Sequence, residues 1–173
     1  MPTPKEALDK SKKSINAAIA NIQGIFGKSI DSKSMERIAK EAVIEIKRRT
    51  RLGYGVAEDR QPKEKLLSLS YEYIEQRFEM KEDGILSDAT KPQRSNLTMT
   101  GQMLDSLRVI NHRRNFAEIS PYGSRWDSDL TNQEVSAYVE AAGRPYLNLS
   151  DLEIKKLARF YQNKILKPKL AKV

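Results

Sequence analysis

His112 is the single histidine of the chain and cysteine is absent. A histidine pair for a metal, a histidine relay, a thiol nucleophile and a disulfide framework are therefore excluded at the outset. The sequence neighbours of His112 on one side are the cations Arg113 and Arg114, with no residue in range that completes a catalytic set. Asp105 and Ser106 are adjacent on a predicted helix, so they point to different faces and form no dyad. The segment GIFGKS, Gly24 to Ser29, has the ending of a phosphate-binding loop. That pattern needs a further glycine five residues before Gly27, where Ile22 stands, and a strand before it, where the periodicity is helical. Glu36, Glu41, Glu45, Glu72, Glu75 and Glu79 alternate with lysine and arginine along helical stretches, the pattern of solvated faces with i,i+4 pairs rather than of a metal site. These residue types predict a protein that is not an enzyme and that takes no metal or cofactor.

Charge is the remaining chemical signal. A formal net charge of +8 favours association with polyanions, either nucleic acid or acidic protein surfaces. Two arginine groups stand out as candidate contacts to DNA or to an acidic partner: Arg48, Arg49 and Arg51, and Arg108, Arg113 and Arg114. The first group also suits the last turn of a helix, where cations complement the partial negative charge of the carboxyl end. No zinc finger, aromatic-basic strand motif or helix-turn-helix accompanies either group, so sequence-specific nucleic-acid recognition is not expected.

The elements that position these residues are legible from periodicity. Leu8, Ile15, Ile19, Ile22 and Phe26 form one helical stripe between Lys5 and Phe26. Met35, Ile38, Ala39, Ala42, Val43 and Ile46 form a second, with Ser32 or Ser34 as the expected cap and Gly53 and Gly55 as the exit. Leu67, Tyr71, Ile74 and Phe78 predict a third helix over roughly Lys63 to Met80. A short helix over Thr98 to Leu107 is capped by Thr100. Alternating runs around Leu107 and Val109, over Phe116 to Ser120 and over Val135 to Ala141 predict strands of a small antiparallel sheet. The last helix opens on the capping box Ser150 and Glu153, continues through Ile154, Leu157, Tyr161 and Ile165, and is expected to stop at Pro168. The fold class is thus α+β in a single domain over 1–173, with several helices packed on a small sheet. Residues 1–30 are read as a helical extension, and 81–96 and 121–133 as extended loops. No uninterrupted apolar run long enough for a membrane span occurs and the amino terminus carries no apolar leader, which predicts synthesis in a cytoplasm. On the second loop, Tyr122 and Trp126 are candidate subunit contacts, with cover for the domain's own sheet as the alternative.

Two segments taken together, LTMTGQMLDSLRV from Leu97 to Val109 and YVEAAGRPYLNLSDLEI from Tyr138 to Ile154, resemble the tail-completion, virion-morphogenesis and head-tail connector (neck) proteins of tailed bacteriophages. The positions that carry the resemblance are Leu97, Thr100, Gly101, Leu104, Ser106 and Leu107, then Arg144, Pro145, Tyr146, Leu147 and Ser150, with Tyr146 where phenylalanine is more usual. The resemblance implies a structural subunit that forms a homo-oligomeric ring at the head-tail junction of a virion. Other neck proteins, portal or tail-terminator and tube proteins would be its partners, and packaged DNA a non-specific neighbour. A basic nucleic-acid-binding adaptor is the second expectation from the residues themselves.

Overall fold

In a computed structural model of the chain, residues 3–26, 30–56, 64–86, 91–93, 97 and 101–171 are described. Helix α1 (Pro4–Phe26) and helix α2 (Ser32–Arg51) are the two longest elements, at 23 and 20 residues. Helices α5 (Asn132–Ala141) and α6 (Asp151–Tyr161) pack on α1, and α6 on α2 as well. A hairpin of β3 (Arg108–Arg113) and β4 (Phe116–Ser120) lies across α1 and α2. Between these come the two-residue strands β1 (Tyr54–Gly55) and β2 (Glu64–Lys65), helix α3 (Tyr71–Glu82) and the single turn α4 (Gln102–Asp105). The class is α+β, with long amino-terminal helices and a carboxyl-terminal helix. No helix among the described residues is long and apolar enough to cross a membrane.

The first helix is not an extension. Ile15, Ala18, Ile19 and Ile22 of α1 are fully buried in the same core as Met35, Ile38, Ala42 and Ile46 of α2 and Ile154, Leu157, Tyr161 and Ile165 of the last helical segment. Each such aliphatic side chain contributes roughly 1.5–3 kcal/mol by leaving water, so removing α1 would open the centre of the protein. Helix α2 follows its predicted seam, but its cap is Asp31 and neither of the expected serines. The Asp31 carboxylate accepts from Ser34 N at 2.7 Å, and Ser34 is itself buried.

Three elements differ from expectation. The run Val135 to Ala141 is helix α5 and not a strand: Thr131 Oγ1 accepts from Glu134 N at 3.2 Å while Glu134 Oε2 accepts from Thr131 N at 2.7 Å, a complete capping box. The sheet that remains is the β3–β4 hairpin, antiparallel, with a bulge at Ile110. The extra residue re-phases the strand, which is why Val109 and His112 are half-buried while Ile110 and Asn111 are exposed. Helix α3 begins only at Tyr71, because Ser70 Oγ accepts from Tyr73 N and starts it there. Its predicted seam does not face the core: Leu67, Tyr71 and Phe78 are exposed, and the buried side chain of α3 is Arg77, beneath the Tyr73 ring.

Pro168 does not end the last helix. It lies within helix α7 (Lys167–Leu170), which continues from α6 through a π-turn over Gln162–Leu166. A proline in mid-helix lacks a donor and its ring crowds the carbonyl four residues back; a widened turn before it and a place in the first turn of α7 accommodate both.

Candidate functional site

The Arg144–Ser150 segment, half of the sequence motif, is non-helical backbone, half-buried at Arg144 and Pro145 and buried from Tyr146 to Ser150, and its polar groups are met by side chains from four helices. From α5, Glu140 Oε1 accepts from Tyr146 N at 3.0 Å and Leu147 N at 2.9 Å, and its Oε2 accepts from Ser11 Oγ of α1 at 2.8 Å. From α2, the Arg49 guanidinium donates to Tyr146 O at 2.5 Å, to Asn148 O at 3.0 Å and to Glu153 Oε2 of α6 at 2.6 Å. The Tyr146 hydroxyl shares a 2.7 Å hydrogen bond with Ser136 Oγ, and Ser150 with Glu153 closes the second capping box. Asn148 Oδ1 accepts from Leu149 N and from Ser14 Oγ. The approach is set by Gly143 at φ 73°, where Arg144 N reaches Val139 O and Gly143 N reaches Glu140 O. Pro145 O accepts from Val56 N at 3.0 Å.

Electrostatics in this clamp follow from burial. Desolvation pushes the Arg49 guanidinium below its ordinary range, and the Glu153 carboxylate opposes that shift. Guanidinium is so strong a base that Arg49 stays charged. Burial pushes the Glu140 carboxyl up, against the amides of Leu147 and Tyr146, the Ser11 hydroxyl and Arg49. Burial likewise pushes the Tyr146 phenol up. The chemistry of the cluster is the satisfaction of a buried stretch of backbone, although the Arg49 Nε is itself buried without a hydrogen-bond partner.

Around the other half of the motif, Leu104 and Leu107 are buried, Leu97 packs on the core with φ 54°, and Ser106 Oγ donates to Met103 O and accepts from Tyr122 N. Thr100, the expected cap, lies outside the described residues. The residue at the start of α4 is Gly101, at φ 78° and without a side chain to cap.

The Pro121–Thr131 loop rests on that turn. Asn132 Nδ2 lies 3.2–3.3 Å from the carbonyls of Tyr122, Gly123 and Ser124, Arg125 pairs with Asp127 at 2.7 Å, and Trp126 N donates to Gln102 Oε1 at 3.1 Å. Desolvation resists ionisation of Asp127, but Arg125 outweighs it and, with Gln102, holds that carboxyl below the usual range. The braced backbone displays Trp126 at 75% exposure and Tyr122 at 52%, the latter with the Arg108 guanidinium 4.0 Å above its ring. Leu130, on the same loop, is exposed as well.

The arginine candidates do not form one patch. Arg49 is 2% exposed and committed to the clamp, so it is no contact for DNA or a partner. Its position on the inward face of α2, in line with Ala42 and Ile46, is the reason. Arg48 pairs with Glu45 at 2.9 Å and Arg51 with Asp105 at 2.5 Å. Arg113 and the turn residue Arg114 are exposed at the tip of the hairpin, beside the start of α2, where His112 Nδ1 lies 3.1 Å from Ser32 Oγ and its Nε2 3.8 Å from Glu36. A 20-residue helix is about 30 Å long, so Arg48 and Arg51 stand a helix length away from them. Among the described residues there is no group of three or more His, Cys, Asp or Glu side chains placed to hold a metal ion.

Sequence reasoning passed over Glu140, Ser136 and Asn148. The signal was a polar face at positions 132, 136 and 140, which becomes visible once Thr131 and Glu134 are read as a capping box. In comparisons with known proteins, no family model, no curated protein and no solved structure matches the chain.

Proposed function

We propose that this chain is a structural subunit of the head-tail junction of a tailed bacteriophage, a neck or tail-completion protein that works by joining copies of itself into a ring. The observation that carries this reading is the Trp126 loop. A tryptophan of 75% exposure is costly to leave in water, and here it is held out by a backbone with its own hydrogen-bond scaffold rather than by a loose segment. Pre-organised aromatics of this kind are the anchors of protein interfaces, and Tyr122 with Arg108 and Leu130 supply the residue types that surround such anchors.

The motif residues support the same reading from the inside. Tyr146, Leu147 and Ser150 fix the backbone between α5 and α6, while Leu104, Ser106 and Leu107 fix the turn on which the loop rests. A ring subunit presents two unlike faces, and contacts that repeat head to tail close the circle. The test is electron microscopy of the purified protein, alone and added to tailless heads or headless tails. Closed rings, or a density collar on particles, are expected from the parent chain and are lost with Trp126→Ala. Monomers that never join particles overturn the reading.

A further inference from the structure

The positive charge of this protein is not distributed. Residues 154–173 contain seven lysines and arginines and no acidic residue, while the preceding 153 residues contain 24 basic and 23 acidic ones. All but one unit of the +8 net charge therefore sits in the last twenty residues, and not in the arginine groups of α2 and the hairpin. As far as Leu170 they form continuous helix: α6, the π-turn and α7. Lys155, Arg159, Lys164 and Lys167 are all exposed, at spacings of four, five and three, and the interval of five falls on the π-turn. That turn bonds i to i+5, with Lys167 N donating to Gln162 O, so it brings Lys167 round toward the side of Lys155 and Arg159 and leaves Lys164 nearer the flank. Among the described residues none of these four is held in an ion pair, whereas Lys156, on the flank, is bound to Glu45.

We propose that this face is a binding surface for the phosphate backbone of double-stranded DNA, without sequence preference. Its four cations extend over about 18 Å of helix, a length along which duplex DNA carries about ten phosphates. The opposite side of the helix argues against an anionic membrane as the partner. Ile154, Leu157, Tyr161 and Ile165 are buried in the protein core, so no apolar stripe remains to enter a lipid interface, which surface-lying helices require. The inference stands apart from the ring reading, since a monomer would present the same helix.

The test is fluorescence anisotropy of a labelled random-sequence duplex titrated with the full chain over a series of NaCl concentrations, beside vesicles with and without anionic lipid. The combined variant Lys155→Gln, Arg159→Gln, Lys164→Gln and Lys167→Gln is expected to flatten the slope of log affinity against log salt by about three to four, close to one for each phosphate no longer neutralised. A control of equal charge change on other exposed lysines, Lys33→Gln, Lys65→Gln, Lys81→Gln and Lys91→Gln, is expected to keep the parent slope. The single substitutions, each lowering the slope by about one, give the same reading if the combined variant melts. Equal loss in both sets, no duplex binding by the parent, or binding to anionic vesicles in preference to duplex would each overturn the proposal.

Discussion

At the scale of single residues, the clamp depends on two buried ionisable groups with different roles, Arg49 and Glu140. Arg49 neutralises and orients: its guanidinium spans Tyr146 O, Asn148 O and Glu153. Arg49→Ala strands the Glu153 carboxylate and two carbonyls in the core, and is expected to cost about 3–5 kcal/mol in urea unfolding. A loss below about 1 kcal/mol, the range of an exposed pair, would show that the clamp does not hold the segment. Glu140 is held in the fold with its carboxyl pushed above the ordinary value of 4.5, chiefly by burial. A carboxyl raised on folding contributes stability below its unfolded value, and that contribution is lost as pH rises through the folded value. Glu140→Gln keeps the carbonyl acceptor for Tyr146 N and Leu147 N without the charge. Relative to the parent, this variant is expected to gain stability steadily as pH is raised from about 4.5, measured by thermal unfolding across pH. A difference independent of pH would contradict the assignment. Little of this clamp was legible in the sequence: Arg49 reads as one of a basic cluster, and only its register with Ala42 and Ile46 hints that it points inward.

At the scale of elements, capping chemistry decided more than apolar pattern. The seams of α1 and α2 were readable from periodicity alone, and the last helix because its periodicity and its Ser150 cap agree. Helix α5 was not, since Val135, Ala137 and Val139 alternate as in a strand while its inward face is the polar set Asn132, Ser136 and Glu140. Helix α3 shows the reverse, a true helical spacing of which Leu67, Tyr71 and Phe78 face solvent and only Ile74 is half-buried. Nor does spacing reveal close approach of backbone. A Cβ on Gly55 would lie 2.2 Å from Pro145 O, where β1 meets the motif segment. Gly55→Ala must push the two apart, breaking the bond from Val56 N to Pro145 O, at an expected cost of about 1–3 kcal/mol in chemical denaturation. An unchanged unfolding midpoint would mean that β1 is free to shift away from Pro145.

For the whole molecule, a core shared by α1, α2, α5 and α6 carries two surfaces that do not coincide in residues: an exposed aromatic loop, proposed to meet another protein, and a basic helix, proposed to meet phosphate. Composition announced the charge but not its place, since the arginines that catch the eye are balanced by acids over the first 153 residues. Trp126 is the single tryptophan of the chain, so tryptophan emission reports on the proposed interface alone. The most direct measurement is tryptophan emission and iodide quenching through a concentration series, read beside sedimentation velocity. Assembly through this loop predicts red-shifted, quenchable emission at high dilution that moves to the blue and becomes protected as the sedimentation coefficient rises. Emission that stays red and quenchable while the protein assembles, or a protein that stays monomeric at every concentration and on addition of particles, would contradict it.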